Sequence, residues 1–206
     1  MLRDVAFTLP AGALVAVVGP SGSGKSTLLG LLAGLDQPTT GEVRFDGETL
    51  GLLSEDELAR MRRDRVGFVF QAFQLIPTLT AEENVQVPLQ LAGADGSRER
   101  AREILRRVGL EGREGHFPAQ LSGGEQQRVA IARAFVHEPA ILYADEPTGN
   151  LDSATGGRII DLLTELNRER GTTVVLVTHD AELAGRARRV IRLADGRVVA
   201  DTGKAG

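Results

Sequence analysis

The sequence has no cysteine, no tryptophan and a single tyrosine. It also has no apolar run near the ~20 residues that would span a bilayer. Without cysteine, disulfides and thiolate metal sites are excluded, and a reducing compartment fits. A basic excess is missing too. The net charge of −4 gives no global field for nucleic acid, which is therefore not an expected partner. Lysine is nearly absent: only Lys25 and Lys204 stand among 24 Lys and Arg residues. Arginine is the default cation, yet Lys25 lies inside a glycine-rich loop. A compact ammonium suits a phosphate there, and a planar guanidinium does not. The apolar stretch Ala13 to Val18 runs straight into that loop, so it does not read as a signal peptide. What is present is ordinary for a globular protein: 42% hydrophobic and 25% charged over 206 residues. One domain with a subdomain inserted, in the cytoplasm, is the expectation.

Strands and helices alternate at the two ends of the chain. Val5, Phe7 and Leu9 alternate like a half-buried strand, and Leu14 to Val18 reads as a central parallel strand. Leu28, Leu31, Leu32 and Leu35 follow helical spacing, closed by Gly34 and Pro38. Glu42 to Phe45 and Val66 to Phe70 read as strands, with Asp46-Gly47 a turn, and Ser54 with Glu57 caps a helix over 55–63. From Thr80 to His137 the pattern is helical, with a capping box at Thr80 and Glu83 and one apolar face at Ala101, Ile104, Leu105 and Val108. In Arg98 to Arg107, Glu99 with Arg102 and Glu103 with Arg107 predict pairs along a solvated helix. Strands return at Ala140 to Ala144, Thr173 to Val177, Val190 to Leu193 and Arg197 to Ala200, the last two joined by Asp195-Gly196. A helix bearing Ile159, Ile160, Leu162, Leu163 and Leu166 lies among them. The alternation predicts a parallel α/β sheet.

Four places carry chemistry. Gly19-Pro20-Ser21-Gly22-Ser23-Gly24-Lys25-Ser26, followed by Thr27, fits G-x-x-x-x-G-K-[ST] between a strand and a helix. Its glycines let backbone N–H groups reach phosphate oxygens, Lys25 suits the β and γ phosphates, and Ser26 suits Mg²⁺. Ile141 to Glu146 is a buried strand ending in two acids: Asp145 suits a direct or indirect Mg²⁺ ligand, and Glu146 suits orienting a water. Gln71 and His179 both follow strands, at the edge where open α/β sheets bind ligands. Gln71 is placed to reach Mg²⁺ or the water. His116 and His137 have no such setting. Finally, Leu121-Ser122-Gly123-Gly124-Glu125-Gln126-Gln127-Arg128 is a capped helix start, a second anion-ready N-terminus.

Together these segments resemble the nucleotide-binding subunits of ABC transporters over nearly the whole chain. Gly19 to Thr27 is similar to the Walker A motif, Gln71 to the Q-loop and Leu121 to Arg128 to the signature. Ile141 to Glu146 is similar to Walker B, Gly149 to Asp152 to the D-loop and His179 to the switch histidine. The text around Leu75 to Thr80 and Ala144 to Asp152 resembles the lipoprotein-release and macrolide-export subfamily. The resemblance implies an α/β fold: a RecA-like P-loop NTPase core with a mainly parallel sheet (residues 1–75 and 138–206). It also implies an inserted α-helical subdomain (76–137) carrying the signature, and a truncated antiparallel β subdomain. The implied activity is ATP hydrolysis with ATP and Mg²⁺. The metal set is Ser26, Gln71 and Asp145, and Glu146, His179, Lys25 and Gln71 act in catalysis. Two copies would bury two ATPs, each between the loop of one copy and Leu121 to Gln126 of the other, with Asn150 and Asp152 coupling the sites. A membrane permease would meet Phe73 to Leu91, holding the protein on the cytoplasmic face of the membrane. Phe73, Leu75, Ile76 and Leu79 equally suit subdomain core.

One part of the pattern is missing. The family stacks adenine on an aromatic residue upstream of Walker A, and this sequence offers only Phe7, which alternates like core, and Tyr143, inside a strand. A natural start roughly 20–30 residues upstream of Met1, about the size of a βαβ fragment, is therefore expected. Glu42 to Phe45 would be left an unpaired edge. The alternative functions are a soluble ABC-type ATPase and an ATP-sensing regulatory module. Gln71 and Ser122 lie too close in sequence for the long coiled coil of repair ATPases, and intact Lys25, Asp145 and Glu146 disfavour a sensor.

Overall fold

The computed structural model describes residues 2–203, so Met1 and Lys204 lie outside it. Eight strands form: β1 (Leu14–Val18), β2 (Arg44–Phe45), β3 (Glu48–Thr49), β4 (Val66–Phe70), β5 (Ile141–Asp145), β6 (Thr173–Thr178), β7 (Arg189–Ala194) and β8 (Arg197–Asp201). The helices are α1 (Lys25–Leu32), α2 (Glu55–Arg65), α3 (Ala81–Leu91), α4 (Ser97–Arg107), α5 (Gly123–Phe135), α6 (Ser153–Arg170) and α7 (Ala181–Ala184). The main sheet has the order β4-β5-β6-β1-β7-β8. Only its β7–β8 edge pairs antiparallel. This is the expected α/β class.

The central strands are apolar throughout because helices cover both faces. Alternation along each strand divides the core. Leu142, Ala144, Val174 and Leu176 face one cluster with α3, α4, α5 and α6. Ile141, Tyr143, Val175 and Val177 face the other, with α1 and α2. The face Ala101, Ile104, Leu105 and Val108 is buried in the first cluster, as its spacing predicts. No helix among the described residues is long and apolar enough to cross a membrane.

Four local expectations are corrected. Val5, Phe7 and Leu9 do alternate in burial, but residues 5–9 form no strand. Alternation records which side chains face the core. A ladder also needs a neighbour, and this segment is instead tied by Arg189 Nη1 donating to the Thr8 carbonyl. Glu42 to Phe45 shortens to Arg44–Phe45, and its edge is paired by Glu48–Thr49 across the Asp46-Gly47 turn. In α1 the buried residues are Leu28 and Leu29, while Leu35 is exposed. The arginines of α4 reach across helices rather than along their own: Arg98 and Arg102 grip Glu82 of α3, and Arg107 grips Glu165 and Glu169 of α6.

Candidate nucleotide site

The parallel strands all end at one edge of the sheet. The loop after β1, Asp145 at the end of β5, His179 after β6 and Gln71 after β4 meet there, as the topology requires. The loop is folded tightly against its neighbours. A Cβ on Gly19 would lie 2.3 Å from the Leu193 carbonyl oxygen and 2.7 Å from Ser23 Oγ, so only glycine fits. Gly24, with φ 99°, caps α1 without a side-chain hydrogen bond, which leaves the helix N-terminus open to an anion. Lys25 Nζ donates to the carbonyls of Gly19 (2.9 Å) and Pro20 (3.0 Å), across the same loop. Ser23 Oγ is buried and has no hydrogen-bond partner among the described residues. A buried polar atom left so, beside open N–H groups and an ammonium, fits a polyanionic ligand.

The two acids have different surroundings. Asp145 accepts a hydrogen bond from Ser26 Oγ at 3.1 Å. Burial holds its carboxyl above the usual range; Ser26 opposes that shift, and Glu146 adds to it. Glu146 sits at φ 48°, a left-handed conformation uncommon outside glycine. Its amide donates to the Val177 carbonyl, which anchors the turn to β6. His179 Nδ1 lies 3.0 Å from Glu146 Oε1. A carboxylate only accepts, so Nδ1 is the donor and Nε2 remains for another partner. The histidine is exposed and the glutamate largely shielded, 71% against 18%. The acid is thus fixed by a group that water can reach.

Gln71 is placed differently from Ser26 and Asp145. Its Nε2 donates to Asn150 Oδ1 (3.1 Å), and Asn150 Nδ2 donates back to the Gln71 carbonyl (2.9 Å). Of the three residues expected around Mg²⁺, the structure joins two directly and pairs the third with the turn after β5. Asp152 caps α6 by accepting from Thr155 N. Phe7 packs against the second core cluster, and Tyr143 is buried with its hydroxyl donating to the Leu32 carbonyl. Both aromatics are taken up by packing.

The second anion-ready helix start is α5. Ser122 Oγ accepts from Glu125 N, and Glu125 Oε2 accepts from Ser122 N (2.8 Å) and Ser122 Oγ (2.7 Å), the predicted capping box. Among the described residues no hydrogen bond or ion pair joins residues 121–126 to residues 19–27. One chain therefore carries two separate anion-facing ends. The ABC transporter family model matches residues 2–149.

The chain belongs to the ABC transporter family.

It is an ABC-type ATPase cassette. It is 54% identical over 200 residues to an uncharacterized ABC transporter ATP-binding protein of Escherichia coli K12, YbbA, covering 96% of this chain and 88% of that protein. It is 51% identical over 205 residues to the Escherichia coli macrolide export ATP-binding/permease protein MacB. That match takes in 98% of this chain but 32% of MacB, so the chain spans about a third of that relative's length. Among solved structures, the ATP-binding cassette MJ0796, in a dimeric post-hydrolysis state bound to ADP and Pi, aligns with TM-score 0.88 and 49% identity. The alignment covers 97% of this chain and 89% of that one.

Further contacts, which no motif predicts, also hold the site. Arg133 of α5 donates to the carbonyls of Phe73 (3.0 Å) and Gln74 (2.6 Å), just after Gln71. Gln127 Nε2, on the same helix, donates to the Pro147 carbonyl at 2.6 Å, one residue past Glu146. Asn84 is fully buried; its amide holds Ile76 N and the carbonyls of Ile76, Leu79 and Thr80. Leu75 packs on the core while Ile76 is 40% exposed. The partners of Arg133 and Gln127 lie 20 to 60 residues away, so spacing gave no sign of them, whereas those of Asn84 lie within 8 residues. A polar residue on the apolar side of a helix was the one available signal for Asn84 and Gln127.

Proposed function

We propose that the chain is the ATP-hydrolysing part of an ABC transporter or envelope mechanotransmission complex, coupled to a membrane permease. The observation that carries this is the presence of two unconnected anion-facing helix starts, α1 and α5, on one chain. Two copies packed head to tail bring the α1 end of one to the α5 end of the other, and two ATPs lie between them. The dimeric state described for MJ0796 and the ATP-binding/permease name of MacB support this reading.

In this reading the loop Gly19 to Thr27 holds the phosphates through its N–H groups and Lys25. The hydroxyl of Ser26 and the carboxylate of Asp145, hard oxygen donors already 3.1 Å apart, suit Mg²⁺. The ion would neutralise phosphate charge when bound. Glu146 orients a water toward the γ-phosphorus and takes its proton as the P–O bond to ADP breaks. His179 fixes Glu146 and, with Lys25, stabilises the charge that develops on the phosphoryl oxygens. Gln71, tied to Asn150, and Asp152, at the start of α6, link the site to its surroundings. Leu121 to Gln126 meet the ATP of the partner copy.

Residues 76–137 serve as the helical subdomain between core segments 1–75 and 138–206. The permease docks near Phe73 to Leu91, where Asn84 braces a loop that leaves Ile76 exposed, and so keeps the protein at the cytoplasmic membrane face. The test is Mg-ATP hydrolysis and oligomeric state of the purified chain and of Glu146→Gln. Turnover lost in the variant, with an ATP-dependent dimer gained, supports the proposal. A chain that binds ATP but neither turns it over nor dimerises overturns it in favour of a sensor.

A further inference from the structure

The first turn of α5 contains a conflict. Glu125 favours the helix, because an acid suits a helix N-terminus and completes the capping box. The same acid opposes any phosphate that the N-terminus is meant to receive. It is ionised near neutral pH, since hydrogen bonds from Ser122 hold its carboxyl below the usual range, with Arg113 and Arg128 adding to the effect. A second difficulty concerns the hydroxyl. Ser122 Oγ has one hydrogen, and it is spent on Glu125 Oε2. To donate to a phosphate, Ser122 must take that hydrogen away from Glu125.

Arg113 answers both points. Its Nε lies 3.2 Å from Glu125 Oε1, the oxygen that Ser122 does not use. Its Nη1 lies 3.2 Å from His116 Nε2, and because arginine only donates, that ring nitrogen is the acceptor. The segment carrying both residues is fastened to α3, where Ala81 N donates to the His116 carbonyl (2.8 Å) and Glu82 N to the Glu114 carbonyl (2.9 Å). The guanidinium is therefore held at both ends. It is also half exposed, 49% against 19% for Glu125, and a pair so open to water adds little to fold stability.

We infer that Arg113 is a positioning residue for the nucleotide sandwich: it neutralises Glu125 and keeps it paired when the Ser122 hydroxyl turns to the partner copy's ATP. His116, which no motif singles out, orients the arginine. The inference rests on the head-to-tail reading above. Without Arg113, the unpaired Glu125 faces the γ-phosphate across a narrowing interface, and closure weakens through like-charge repulsion.

The experiment uses Glu146→Gln as parent and follows the ATP concentration that half-populates the dimer, by sedimentation velocity. Thermal unfolding checks that each variant is folded. Adding Arg113→Gln is expected to raise that concentration about tenfold, with little change in melting temperature. Adding Glu125→Gln to the Arg113→Gln protein is expected to recover most of the loss, because the charge to be neutralised is gone. An unchanged midpoint in Arg113→Gln overturns the inference alone. A loss that Glu125→Gln does not recover overturns it too, since Arg113 would then only prop its loop. A parent that never dimerises with ATP overturns the sandwich reading, and this inference with it.

Discussion

Replacing Arg133 by methionine isolates the brace between the signature helix and the segment after Gln71. The stem keeps most of its packing, and only the guanidinium is lost. That group is largely buried, which pulls its pKa down, and it donates to Gln74 O at 2.6 Å and Phe73 O at 3.0 Å. Phe73 and Gln74 sit at φ 58° and 51°, so two successive non-glycine residues are held left-handed. Each such residue costs about 1 kcal/mol, and the brace is what opposes their relaxation. A hydrogen bond from a charged group contributes ~1.5–3 kcal/mol when buried. Water can replace part of this at the exposed Gln74. The two bonds together should then contribute about 2–3 kcal/mol, a fall in Tm of roughly 5–10 °C for a domain of this size. Urea unfolding would show a lower midpoint at unchanged slope, and amide exchange would quicken at residues 71–80. ATP turnover would fall as well, because the Gln71–Asn150 pair sits at the base of the same turn. A destabilisation below about 0.5 kcal/mol with unaltered exchange at Phe73 and Gln74 would refute the reasoning.

Other expectations are more direct. Glu146→Gln should keep ATP affinity within a fewfold while turnover falls by roughly two orders of magnitude or more, read by phosphate release against equilibrium binding. Lys25→Ala should weaken ATP binding at least tenfold in calorimetry, since it removes the one cationic side chain within the loop Gly19 to Thr27. Gly67→Ala should destabilise by about 1–3 kcal/mol in urea unfolding, because its Cβ would meet the Ala134 carbonyl oxygen at 2.5 Å. For Asp145 the sign follows from burial. Its folded pKa is raised, so the folded state holds the proton more tightly than the unfolded one. Stability is therefore lost as pH rises from the ordinary carboxylate value through the folded one, and the loss persists at neutral pH. Asp145→Asn should accordingly melt higher than wild type at pH 7 in Mg²⁺-free buffer, yet at an equal temperature near pH 3, while turnover is lost.

The interactions legible in the sequence are those that close within a few residues. The capping boxes at Ser54, Thr80 and Ser122 form as written, because each needs partners only three positions apart. Val66–Phe70 and Leu14–Val18 form at the expected bounds, since a strand covered on both faces has a continuous apolar text. The order of Lys25, Gln71, Ser122, Glu146 and His179 was enough to suggest a nucleotide site in two halves. Partner choice over long range was not legible. Arg102 and Arg107 had acids in reach on their own helix and took others on α3 and α6, where packing had brought carboxylates closer. Val5 to Leu9 carried a strand's alternation with no strand to pair with. Gln71 found Asn150, and Arg133 found Phe73 and Gln74, only because β4, β5 and α5 pack together. The sequence by itself determined the chemistry available at each strand end and helix start, because those are local properties of a few residues. Tertiary structure alone decided which groups meet, which acid is buried and which is braced. Those outcomes depend on distances that the folded sheet and helices set, and that spacing along the chain does not contain.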